Sequence, residues 1–146
     1  MLTHILDGEH QKAQESIIVL TKSTDPLLVH AGRTVQGAYD EFALFEDGQN
    51  VHLQTLLARA LAQIGQCPSG VSLLQSVVEK EPDYRDAWIV QGYCQLTLQQ
   101  FGAALTSFET AYALDPEKAE TQYFLGLTHE KLGNKEQAFT FFGYAL

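Results

Sequence analysis

The sequence predicts an all-α protein built of stacked antiparallel helix pairs. Three observations carry that expectation. Six columns of like residues recur every 34 residues: Ala58/Gly92/Gly126, Gly70/Ala104/Ala138, Leu74/Phe108/Phe142, Ile64/Leu98/Leu132, Val77/Ala111/Ala145 and Pro82/Pro116. Each period holds two apolar runs at helical spacing, separated by a short break. The chain has 146 residues, 45% apolar and 18% charged, which suits one core-bearing domain rather than a disordered segment.

Residues 1–50 do not keep the period. Gly8 to Lys22 reads as a helix with Ala13, Ile17, Ile18 and Leu20 apolar, and Asp7 is placed as its N-cap. Ser23-Thr24-Asp25-Pro26 breaks it and starts the next, because proline suits the first helical turn. Leu27 to Phe45 is then a long helix that Asp47-Gly48-Gln49-Asn50 ends. This stretch reads as a degenerate helix pair packed on the array, with a separate non-repeat cap as the alternative. Ala38-x3-Phe42 echoes the second-helix pattern, but Ala38 stands 32 residues before Gly70, so the register has slipped.

The repeats proper are residues 51–84, 85–118 and 119–146. In the middle one, Arg85–Leu98 and Gly102–Leu114 are the two helices and Gln99-Gln100 the break. Asp115-Pro116 stops the second helix, since proline disfavours helical geometry just before it. Glu81-Pro82-Asp83 does the same one period earlier. In the last repeat Leu132-Gly133-Asn134 is the turn, where glycine or asparagine takes a positive φ. Small residues in the first helix (Ala58, Gly92, Gly126) and second helix (Gly70, Ala104, Ala138) allow close packing. Large ones (Leu74, Phe108, Phe142) fill the layer between hairpins. One hairpin cannot bury its own apolar face, so hairpins stack.

These residues resemble the tetratricopeptide repeat, a 34-residue helix-turn-helix. The best match is Trp88-x2-Gln91-Gly92 … Ala104-x3-Phe108 … Ala111 … Pro116; Leu125-Gly126 … Ala138-x3-Phe142 and Leu57-Ala58 … Gly70-x3-Leu74 … Pro82 flank it. Gln91, Gln95, Gln54 and Gln122 depart from the family's leucine, tyrosine and tryptophan. The resemblance covers residues 51–146, and it implies a right-handed α-solenoid and a non-catalytic interaction role.

In such a solenoid the first helices line an inner groove that takes a protein or peptide segment. The inward columns here are Thr55, Ile89 and Tyr123; Arg59, Tyr93 and Leu127; and Gln63, Thr97 and Lys131. His52, Asp86 and Glu120 lie at the rim. Tyrosine offers rigid contact area plus a hydroxyl donor, which suits a peptide groove; ordinary packing is the competing reading of Ile89, Tyr93, Tyr123 and Leu127. Family members that grip the acidic tail of heat-shock chaperones use lysines and asparagines at these columns. That set is absent here, so that role is not expected.

The last helix carries Phe139, Phe141, Phe142, Tyr144 and Leu146 with no polar capping helix after it. Either the chain is a piece of a longer array, or Phe139, Phe141, Tyr144 and Leu146 form a homo-oligomer interface.

A formal net charge of −9 repels phosphate backbones and anionic headgroups, which argues against nucleic acid and polybasic membrane attachment. No apolar run has the roughly 20 residues of a membrane helix, and the N-terminus lacks a signal-peptide pattern, so the cytoplasm is expected. His4, His10, His30, His52 and His129 show no ligand spacing and read as exposed or half-buried helical residues, so no metal or cofactor is expected. Cys67 and Cys94 have no zinc-like or CxxC spacing and read as small half-buried thiols, with Cys67 exposed if its inter-helix turn is open. Gly65-Gln66-Cys67-Pro68-Ser69-Gly70 lacks the Gly-Lys-Ser/Thr ending of a phosphate loop. No catalytic residues are assigned.

Overall fold

The computed structural model describes residues 1–45 and 48–146. Among them it holds helices α1 (Leu2–Leu6), α2 (His10–Thr21), α3 (Pro26–Phe42), α4 (Asn50–Gln63), α5 (Cys67–Lys80), α6 (Arg85–Thr97), α7 (Phe101–Leu114), α8 (Ala119–Lys131) and α9 (Lys135–Ala145), and no strand. The fold is all-α, as expected. The chain divides into two compact units, Met1–Ser76 and Val77–Leu146, with the division inside α5.

In the first unit α2 packs on α3 and α3 on α4, around Ile5, Ala13, Ile17, Val35, Leu57 and Leu61. The start of α3 agrees with the sequence: the Asp25 carboxylate accepts from the Leu27 N–H at 2.9 Å, and Pro26 opens the helix. Three details differ. A short helix, α1, precedes the expected pair. Asp7 does not cap α2 but ends α1; Gly8, with φ +73°, turns the chain so that Glu9 stands at the N-cap, its carboxylate bonded to His4 and Lys12 rather than to the helix's own N–H groups. Helix α3 ends at Phe42 rather than Phe45. The chain tightens there, the Leu44 and Phe45 N–H groups donating to the carbonyls three residues back, Glu41 and Phe42. That turn sets Phe42 and Phe45 edge-on to His52, with centroids 5.8 and 4.6 Å away. Asp47, placed in the terminating turn, lies outside the described residues.

In the second unit α6 pairs with α7, α8 with α9, and α7 packs on α8. Its centre is Ala104, Phe108 and Leu125, with Leu105, Tyr112, Phe124 and Phe141 against them. The small-to-large columns interlock within each hairpin. A methyl group at Gly92 would lie 2.6 Å from the Phe108 ring, and one at Gly126 would lie 2.6 Å from Phe142.

Four turns share one hydrogen-bond pattern. The N–H groups of Gly8 and Glu9 donate to Ile5 and His4, those of Gly65 and Gln66 to Ala62 and Leu61, those of Gln99 and Gln100 to Leu96 and Gln95, and those of Gly133 and Asn134 to Glu130 and His129. This is the helix-ending motif with one left-handed residue. Glycine fills that position at 8, 65 and 133, while Gln99 occupies it with φ +61°. The turn therefore recurs inside the irregular first third, although the 34-residue register does not reach it.

Turn geometry and packing set the outcome of three substitutions. A left-handed L-residue costs roughly 1–2 kcal/mol, against roughly 0.5–1 kcal/mol for glycine's freedom in the unfolded chain. Gln99→Gly should thus raise stability by about 0.5–1 kcal/mol in urea unfolding. Gly92→Ala should lower it by about 2 kcal/mol or more, because Phe108 is fully buried and cannot yield. Gly102→Ala, which meets nothing within 4 Å, should be neutral or gain up to about 1 kcal/mol.

Candidate functional site

The residues expected to line a groove fall into distinct environments. Thr55 and Ile89 are buried, at 3% and 1% exposure, and the Thr55 hydroxyl donates to the Val51 carbonyl at 2.8 Å. They are packing residues and present no surface, which corrects their assignment to the groove. Their counterpart one period on, Tyr123, is 48% exposed. That column is thus an inter-helix packing column left open at its last member.

Tyr93 and Thr97 on α6, and Leu127 and Lys131 on α8, are accessible; Tyr93 and Leu127 are half-buried, Thr97 and Lys131 exposed. Each pair is four residues apart, so each occupies one face of its helix. Tyr93 is held edge-on by Phe124 at a centroid distance of 5.7 Å. Tyr93 and Leu127 thereby offer apolar contact beside the polar ends of Thr97 and Lys131.

The rim acids Asp86 and Glu120 are half-buried. Asp86 Oδ1 accepts from Arg85 Nε and Nη2 at 3.0 and 2.9 Å, and Arg85 Nη1 donates to Asp115 Oδ2 at 2.6 Å. Arg85 thus ties the first turn of α6 to the end of α7. The hydrogen bond to Asp86, with Asp115 adding to it, holds the guanidinium above its usual pKa.

In the first unit a cleft of about 310 Å³ runs between α3 and α4. Arg59 and Gln63 of the expected columns line it from α4, opposite Arg33, Gly37 and Glu41 of α3. The α3 side lies outside the expected columns. Its signal in the sequence is the spacing of Arg33, Gly37 and Glu41, four residues apart on one helical face.

At the end of the second unit Phe139 is 82% exposed and Tyr144 and Leu146 are also exposed. Phe141, expected beside them, is turned inward: it stacks on His129 at 5.6 Å, meets Tyr112 at 5.5 Å and joins the core cluster. His129 is buried, not exposed or half-buried as expected, because that stack covers it. Cys67 and Cys94 are buried and form no disulfide. Cys67 begins α5 rather than lying in an open turn. Among the described residues no three His, Cys, Asp or Glu side chains converge as a metal-binding group, and no helix is long and apolar enough to cross a membrane.

A family model described as tetratricopeptide repeat matches residues 55–106 and again 95–146. The chain belongs to the tetratricopeptide repeat family. A curated relative, the DnaJ homolog subfamily C member 7 homolog of Dictyostelium discoideum, is 31% identical over 96 residues, which are 62% of this chain and 18% of that protein. The chain thus spans under a fifth of that relative's length. Among solved structures, MamA of AMB-1 superposes with a TM-score of 0.61 at 23% identity, covering 99% of this chain and 92% of that one. A thermophilic TPR protein of Thermus thermophilus superposes at 0.65 and 18% identity, covering 80% and 73%. At these identities the likeness establishes the solenoid fold.

Tyr39, in the core of the first unit, has a strongly shifted hydroxyl. Burial pushes it up to about 12, and the hydroxyl lies 3.0 Å from His10 Nδ1. The neutral phenol is the favoured form in the fold, so its contribution is complete below the ordinary value of 10 and is lost as pH rises from 10 through 12. Tyr39→Phe should therefore keep a larger share of its pH 8 stability at pH 11 than the unmodified chain, as read by urea unfolding at both pH values.

Proposed function

We propose that this chain is a non-catalytic interaction module that takes a segment of a protein partner along the accessible face of α6 and α8. Membership of the tetratricopeptide repeat family supports a protein-interaction role in general. The observation that carries the finer reading is the continued accessibility of Tyr93, Thr97, Leu127 and Lys131 while the adjacent column is packed away. Two apolar side chains beside two polar ones suit an extended or helical segment with alternating contacts. The net charge of −9 favours a neutral or basic segment over an acidic one. Asp86 and Glu120 sit at the rim of this face, and Arg59 belongs to the separate cleft of the first unit. Two buried cysteines outside any disulfide are in keeping with a reducing cytoplasm.

A second reading is favoured by a specific observation. Phe139 is 82% exposed on α9, with Tyr123 and Leu146 also open. An apolar set of this size supports an assembly role for the end of the array, by association with another copy or with a longer repeat protein.

A photocrosslinking residue placed at Thr97 or Lys131 should capture the partner, and one at Glu109 on α7 should not. The partner so identified should bind Tyr93→Ala at least tenfold more weakly, with cooperative unfolding retained. Equal binding of that folded variant would show that the α6–α8 face is not the site.

A further inference from the structure

The cleft between α3 and α4 carries a local charge opposite to that of the chain. Its α3 wall holds Arg33 and its α4 wall Arg59, so two of the nine lysines and arginines line about 310 Å³. The sequence around it sharpens the contrast. Residues 48–78 hold none of the eighteen acidic residues, and Arg59 is the only lysine or arginine among them. Glu41 is the one acid among the residues that line the cleft. It stands eight residues from Arg33, about 12 Å along the helix. Among the described residues Arg33 has no ion-pair partner. Between these two the α3 wall is hollow, because a methyl group at Gly37 would meet nothing within 4 Å. The Thr34 hydroxyl donates to the His30 carbonyl at 2.9 Å and is already engaged.

A guanidinium carries five N–H donors in a planar fork that matches a carboxylate. One guanidinium can serve two carboxylates, as Arg85 does with Asp86 and Asp115. Arg59 can therefore take a further acceptor while keeping a contact it already makes. Screening decides which charges count: at physiological salt the field decays over about 8 Å. A group inside the cleft feels Arg33 and Arg59 ahead of acids spread over the rest of the chain. We propose that the α3–α4 cleft takes an Asp or Glu side chain of an acidic segment of a partner protein, its carboxylate held between Arg33 and Arg59. The volume lies at the small end of ligand cavities, which run from roughly 300 Å³ upward; it suits a side chain of a longer segment. Arg33 lies outside the inward columns of the repeats, so the pair belongs to the irregular first third of this chain. The site is separate from the α6–α8 face and uses none of its residues.

The test uses the full chain and two fluorescent peptides, one of glycine and serine bearing several glutamates, the other with glutamine in their place. Fluorescence anisotropy at physiological salt reads the binding. The glutamate peptide should bind at least tenfold more tightly than the glutamine peptide. Arg33→Gln should weaken it at least fivefold. Gly37→Leu changes no charge but fills the hollow, and should weaken it as much. Tyr93→Ala, on the other face, should leave it unchanged. Positions 33 and 37 are exposed, and circular dichroism confirms that the variants fold. Equal binding of the two peptides, or none, overturns the inference. Glutamate binding that both Arg33→Gln and Gly37→Leu leave intact overturns it too, because the attraction then lies elsewhere. Light scattering of the unmodified chain supplies the last arm. Association with rising concentration that Arg33→Gln abolishes would make the occupant an acidic side chain of a second copy, and the inference of a separate partner then fails.

Discussion

The close approach of paired helices at a glycine is the contact on which the second unit depends. Gly92 lets the Phe108 ring lie where a methyl group would be, and Gly126 does the same for Phe142. The ring then reaches through its own hairpin: Phe108 stacks on Phe124 of the next helix pair. One small residue thus sets both the spacing within a hairpin and the position of the aromatic group that joins it to its neighbour. Dispersion contacts of this kind are weak singly and large in sum, and they fail quickly with separation.

Hydrogen bonding supports the same geometry at the hairpin ends. The Trp88 indole donates to the Pro82 carbonyl at 2.7 Å, and one period later the Gln122 amide donates to the Pro116 carbonyl at the same distance. Glutamine thus departs from the family pattern in shape while keeping the donor that the connection needs. Gln95 likewise replaces an aromatic residue and accepts from the Ser107 hydroxyl at 2.6 Å, linking α6 to α7. In both cases a polar side chain performs a positional task because a hydrogen-bond partner on the adjoining segment lies within its reach.

A single repeat column can be core or surface according to whether another helix packs over it. Thr55 and Ile89 are packed away, and Tyr123 in the same column is half open. On α9, Phe139 and Phe141 are two residues apart and therefore point to different sides of the helix; one meets solvent and the other meets His129 and Tyr112. Aromatic content alone does not mark an interface, because the rotation of each residue about its helix decides which neighbours it meets.

The sequence by itself determined the helix pairs, the 34-residue period, the turn at Gly133 and the Asp25–Pro26 start of α3. Those features are local: they arise from side-chain spacing, φ preferences and caps within a few residues. Most of the second-unit core was legible for the same reason, since its small and large columns repeat. Only the tertiary structure decided the burial of Thr55, Ile89, Phe141 and His129, the extra helix α1 and the Arg33–Glu41 side of the α3–α4 cleft. Burial depends on which helix packs over a residue, and that contact joins positions far apart in the chain. Periodicity identifies a helix's apolar stripe, but only the arrival of a second helix tells which part of that stripe stays in water.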